Sequence, residues 1–238
     1  MLCTLIISKN LYYISSNFSC LALIYFALFL TESQIKVLVY LSSFFLIFAL
    51  RKIYLLTSEK RINAKLFDIG FWFSISVIAC SYSILFIPTV LFGIFLFYKI
   101  NMKVFLKVFI GVLAAVLVFL FANNLLLGNE FYVNFLTFSK IHIPFPENQL
   151  ILMLFFITVL FLFYMLRNLS SNLKTRRYNL FMTVYFLNSM VMVLISKDLL
   201  IFLFFPFLIS FSNTISKLKR KLIFETSSIL IILIIHYL

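Results

Sequence analysis

Asp68 stands in the stretch NAKLFDIGFW, residues 63–72, at the entrance to a long apolar run. An ionised group at mid-membrane is strongly disfavoured, so an intramembrane acid defaults to a functional hypothesis. Depth argues the other way. Asp68 is the third residue of a span expected to open at Leu66, three positions after Lys65. It therefore sits near the headgroups, where a carboxylate pairs with a base or caps the helix N-terminus. Catalysis is the alternative. Glu225 is comparable, four residues into the last expected span and just after KLKRK at 217–221. Two acids at one depth flank a shared base more readily than they relay a proton.

The remaining candidates are scattered. His142 lies between two isoleucines and His236 is two residues from the last, too few ligands for a zinc or iron centre. Cys3, Cys20 and Cys80 are isolated and odd in number, which argues against a disulfide framework and reads as apolar filler. Lys197 and Asp198, in ISKDLL, read as a solvated turn with a snorkelling lysine. Glu32 sits in the short loop TESQ. Glycines 70, 93, 111 and 128 are too dispersed to cradle a phosphate, and Ser-His-Asp chemistry lacks a usable histidine. Gly93 and Gly111 are expected to permit close helix contacts. Pro206, in FFPFLI, should kink its helix and free a carbonyl that is either structural or lines a cavity. Asp68, Glu32, Asp198 and His142 are thus the candidates for chemistry. None is assigned a catalytic role, and no metal or cofactor is expected.

The elements that position these residues follow from composition. The 238 residues are 64% hydrophobic and only 11% charged, where about a quarter of an ordinary globular chain is charged. The solvent is a bilayer, and the chain reads as one integral membrane domain, residues 1–238. The runs are apolar on all sides, so the fold class is all-α, a polytopic transmembrane helical bundle. About nine spans are expected: Tyr12 to Leu30, Ile35 to Tyr54, Leu66 to Ala79, Ile84 to Tyr98, Val104 to Leu127, Leu150 to Leu166, Tyr178 to Ile195, Leu199 to Ser216 and Leu222 to Leu238. The third and fourth are read as a hairpin, because CSYS and Pro88 punctuate a run too long for one crossing.

Charge supports that choice. With nine spans, 17 of the 20 basic residues fall in one set of loops, leaving Lys36, Lys140 and Lys197 opposite. The positive-inside rule then makes the N-terminus cytoplasmic and the C-terminus extracytoplasmic. The net charge of +13 reads as orientation and attraction to anionic headgroups, with no nucleic acid partner implied. The outer loop 128–149, GNEFYVNFLTFSKIHIPFPENQ, is aromatic and amphiphilic, expected to lie along the interface and to offer a surface to a membrane protein partner.

Two stretches carry a resemblance. KLFDIGFWFSISVIACSYSILFIPTVLFGIFLFYK and DLLIFLFFPFLISFSNTISKLKRKLIFETSSILIILI together resemble an uncharacterised multi-pass inner-membrane family of Bacteroidota, a domain of unknown function. Its Phe-Asp-x-Gly helix opening, aromatic turn and proline-started helix correspond here to Phe67, Asp68, Gly70, Tyr82 and Pro88. The resemblance implies the bacterial inner membrane and a chain that starts one helical hairpin late, but no reaction. A weaker similarity is to the membrane core of C-type glycosyltransferases, which carry an acid in a large first outer loop. Here that loop is TESQ, with Glu32 the only acid. The expectation is a non-enzymatic accessory or scaffold in cell-envelope biogenesis. The alternatives are an enzyme or flippase acting on lipid-linked sugars, and a small-solute transporter.

Overall fold

The computed structural model describes residues 37–58, 60–99, 101–126, 148–167 and 173–216. They form seven α-helices joined by 3-10 segments: α1 Val37–Tyr54, α2 Ile62–Ala79, α3 Ile87–Phe97, α4 Met102–Leu126, α5 Asn148–Arg167, α6 Leu173–Ile195 and α7 Phe204–Ser216. The 3-10 segments are Leu55–Thr57, Ser81–Phe86 and Lys197–Leu203. Four stretches are long and apolar enough to cross a bilayer: Leu38–Thr57, Ile62–Ala79, Met102–Ala122 and Thr175–Ile195. This is the helical complement of a membrane protein. The first and last expected spans lie outside the described residues.

The chain divides into two compact units. One comprises residues 35–142 and 180–202, the other residues 1–34, 143–179 and 203–238. In the first unit α2 packs on both α1 and α4, and α3 packs on α1. Direction can be read from side-chain partners along α1. Lys52 meets Asp68, and Ser42 meets both Ser76 and Ser83. Gly93 lies against Ile53. Thus α2 runs from the Lys52 level to the Ser42 level, the chain reverses after Cys80, and α3 returns to the Ile53 level. The 3-10 segment of 6 residues and α3 of 11 together reach about 28 Å, close to the hydrocarbon thickness. In the second unit α5 packs against α7, and buried Tyr164 donates to Asn179 Oδ1 at 2.7 Å.

Several boundaries move relative to the sequence expectation. Helix α2 opens at Ile62 rather than Leu66, because the Lys65 ammonium folds back onto carbonyls at the end of α1 and its stem is tolerated inside the helix. Helix α6 opens at Leu173 rather than Tyr178, carrying Arg176 and Arg177 in its exposed first turns. The turn expected at Ser196–Asp198 is mostly helical, since a 3-10 segment starts at Lys197. The kink at Pro206 is realised as a change from 3-10 to α-helix at Phe204, two residues earlier.

Two glycines set the α2–α4 crossing. A Cβ at Gly70 would lie 2.0 Å from the Val108 carbonyl oxygen, and one at Gly111 would lie 2.2 Å from that of Phe67. Backbones approach this closely only where no side chain intervenes. Above the crossing, the only tryptophan of the chain, Trp72, stacks on Phe45 of α1, and meets Phe48 of α1 at a tilt and Phe71 edge-on. Trp72 therefore serves the α1–α2 interface.

Candidate functional site

The polar groups of the first unit gather at three places. The end formed by the C-terminus of α1 and the N-termini of α2 and α4 is basic. It carries Arg51, Lys52, Lys60, Arg61, Lys65, Lys99, Lys103 and Lys107. Asp68 is bound here by Lys52 at 2.5 Å, with both side chains about 30% exposed (29% and 31%). Because α2 starts one turn early, Asp68 is its seventh residue and too deep to cap it. No side chain caps this terminus. The structural reading of Asp68 therefore resolves into pairing, with a base 16 residues away on the preceding helix rather than with Lys65.

Lys65 does other work. Its ammonium donates to the Leu55 carbonyl at 2.7 Å, the Ser58 carbonyl at 2.8 Å and Ser58 Oγ at 2.5 Å, satisfying carbonyls that helix ends leave unpaired. Lys107 donates to Asn63 Oδ1 at 2.5 Å and so ties the first turn of α2 to α4. Lys60, Arg61, Lys99 and Lys103 are exposed. Arg61 has φ 52°, the left-handed region, which disfavours a residue with a Cβ by about 1 kcal/mol. The Nε of Arg51 is buried without a hydrogen-bond partner.

The second place is a knot of serines at the opposite end of α1 and α2. Ser42, Ser76 and Ser83 are each fully buried. Ser42 Oγ donates to the Ser76 carbonyl and Ser76 Oγ donates to the Ser42 carbonyl, both at 2.8 Å. Each hydroxyl has a single proton, so the 2.9 Å approach of the two Oγ atoms has none between them, and Ser83 supplies the proton for its 2.5 Å contact with Ser42 Oγ. The knot joins two helices to the reversal that follows them. It holds no base to activate a nucleophile, since its acceptors are carbonyl and hydroxyl oxygens.

The third place is a polar strip on α6: Tyr185, Asn188 and Ser189, at the i, i+3, i+4 spacing that puts them on one face. Asn188 Nδ2 donates to Thr89 Oγ1 at 2.5 Å and reaches the Leu85 carbonyl at 3.3 Å. The 3-10 partner of that carbonyl would be the N–H of residue 88, a proline. Tyr185 OH donates to the Phe202 carbonyl at 3.2 Å, while the single proton of Ser189 Oγ is shared between that carbonyl at 3.1 Å and the Tyr185 carbonyl at 2.9 Å. The Phe202 carbonyl lies where the 3-10 segment passes into α7, four residues before Pro206, which has no N–H to donate to it. Both carbonyls that proline leaves open are thus occupied by donors from one helix, and the carbonyl expected at Pro206 has a structural role. Ring contacts of Phe86 with Tyr185 and Phe202 pack the two breaks together.

Of the candidates drawn from sequence, only Asp68 has a described environment. Asp198 falls in the 3-10 segment Lys197–Leu203. Glu32, His142, Glu225, His236 and nearly all of the loop 128–149 lie outside the described residues. Cys80 is buried at the break after α2, in extended conformation. Among the described residues, no group of three or more His, Cys, Asp or Glu is placed to hold a metal ion. The α6 strip went unnoticed in the sequence, although a Tyr-x-x-Asn-Ser pattern between two proline-broken segments is its signal. No protein-family model, curated protein or solved structure matches the chain.

Proposed function

We propose that this chain is a non-enzymatic accessory or scaffold protein of the bacterial inner membrane, acting in cell-envelope biogenesis. It crosses the bilayer about nine times, with its N-terminus in the cytoplasm and the resemblance to the uncharacterised Bacteroidota family as its context. One observation carries the reading. Among the described residues, the main polar clusters set within the helices are bonded internally, Arg51 Nε excepted: Asp68 to Lys52, the serines in a closed exchange, and the carbonyls of Leu85 and Phe202 to Asn188, Tyr185 and Ser189. Groups already engaged in this way hold helices together, whereas a catalytic or transport site leaves donors and acceptors turned toward a substrate.

Complementation of a strain lacking the protein tests this. Asp68→Asn, Glu32→Gln and Asp198→Asn should each rescue fully at normal protein level. Loss through any one of them would replace the scaffold with lipid-linked sugar chemistry or coupled transport. Purification in mild detergent should then recover a membrane protein partner, with cross-links concentrated in the 128–149 loop.

A further inference from the structure

We propose that the first turns of α2 and α4 form a binding site for one anionic phospholipid, with Lys60, Arg61 and Lys103 around its phosphate and Leu106, Ile110 and Leu113 along its acyl chains. The inference rests on the reading that the chain spans a membrane, and it narrows a general attraction for anionic headgroups to one place.

Three observations converge. The hydrogen bond from Lys107 to Asn63 ties the first turn of α2 to the second turn of α4, so the exposed Lys60 and Arg61, just before Asn63, and the exposed Lys103, one turn before Lys107, lie at the same end of the helix pair. The one described carboxylate at this end, Asp68, is already neutralised by Lys52, and Lys65 is spent on carbonyls. Residues 51–107 place eight basic residues at this end against two acids, Glu59 and Asp68, so the end keeps a net positive charge. Below Lys103, at 100° per residue, Leu106, Ile110 and Leu113 fall within roughly 80° of it around the helix. All three are exposed, at 56%, 46% and 45%. Lys103 to Leu113 covers about 15 Å of helix, the depth of one leaflet. A cationic rim over an apolar stripe of one-leaflet length is complementary to an anionic head on two acyl chains.

Arg61 adds an independent argument. Its left-handed backbone would favour glycine, so an arginine there is a cost to folding that a role for its side chain explains.

The test is native mass spectrometry of the detergent-purified full chain with added phosphatidylglycerol or phosphatidylcholine. Phosphatidylglycerol should bind the wild type preferentially. Removing a cation should weaken this about fivefold, so Lys60→Gln, Arg61→Gln and Lys103→Gln together should cost on the order of a hundredfold. Arg61→Gly should weaken lipid binding while keeping or raising thermal stability, a split that a purely structural arginine would not give. Equal binding of the two lipids by the wild type would overturn the proposal, as would an unchanged triple variant or displacement of the lipid by millimolar inorganic phosphate. A cross-link from Leu113→Cys to a protein instead of lipid would also overturn it. Alkaline carbonate extraction separates this failure from failure of the membrane reading, because a chain that spans the bilayer stays in the pellet whether or not this site exists.

Discussion

Replacing Gly70 by alanine should destabilise the protein, although the same change in an open helix would stabilise it by about 1 kcal/mol through helix propensity. The sign is set by the α2–α4 crossing. The new methyl would lie 2.0 Å from the Val108 carbonyl oxygen and 2.9 Å from the carbonyl carbon, where ordinary contact begins at 3.4 Å, so the helices must part by about 1.4 Å. The obstacle is backbone, which cannot rotate away. Overpacking of this kind costs about 1–3 kcal/mol, and separation also draws Asn63 away from Lys107. Subtracting the propensity gain leaves a net loss of up to about 2 kcal/mol. Gly111→Ala meets the Phe67 carbonyl oxygen at 2.2 Å and should behave alike. The double variant should cost less than the sum, because one parting relieves both clashes. Gly93→Ala meets side-chain atoms of Phe181 and Ile53, which can shift, and should cost less than either. Unfolding in mixed micelles of increasing SDS fraction, followed by Trp72 fluorescence, measures all four, since Trp72 reports the α1–α2 interface directly. A Gly70→Ala protein more stable than wild type would refute the close crossing.

Ser189→Ala and Tyr185→Phe should each cost about 1 kcal/mol or less, because the other hydroxyl still serves the Phe202 carbonyl. The double variant should exceed the sum, which thermal unfolding in detergent would detect. Asp68→Asn should change stability by no more than about 1 kcal/mol, since the pair is partly exposed, and the Lys52–Asp68 coupling in a double-mutant cycle should shrink as salt rises. A salt-independent coupling would place the pair deeper than described. Cysteines placed at Lys60 and Lys103 should both react with an impermeant maleimide from the same side of the membrane. A C-terminal reporter should be active outside the cytoplasm and inactive within it.

The helical class was legible, and helices stand at seven of the nine expected segments, four of them long and apolar enough to cross a bilayer, because hydrophobic length is a property of contiguous sequence. The reversal after Cys80 was legible too, from CSYS and Pro88. What sequence could not supply was partners. The carboxylate of Asp68 and its base are 16 residues apart on adjacent helices, and nothing local distinguishes Lys52 from Arg51 or Lys65. The serine knot joins positions 34 and 41 residues apart, each ordinary within its own helix. Pro206 announced a freed carbonyl, but the hydroxyls that occupy it lie 13 and 17 residues upstream, beyond a helix end. Boundaries shifted where a long basic side chain could bend back, as Lys65 does, because hydropathy counts its charge without regard to where the stem lets it go.

The α6 strip also sets an order in time. Phe202 leaves the ribosome after Tyr185 and Ser189, so its carbonyl meets waiting hydroxyls. The carbonyl of Leu85 has no such luck: its donor, Asn188, is 103 residues downstream and is synthesised several spans later. During that interval the reversal between α2 and α3 is held by the serine knot and by backbone bonds from Cys80 to the Ser76 carbonyl and from Ser83 to the Cys80 carbonyl, with the Leu85 acceptor still open beside them. A nascent chain stalled before residue 180 should therefore lack the Asn188 bonds to Thr89 and Leu85 and be extracted from the membrane more easily than the full chain.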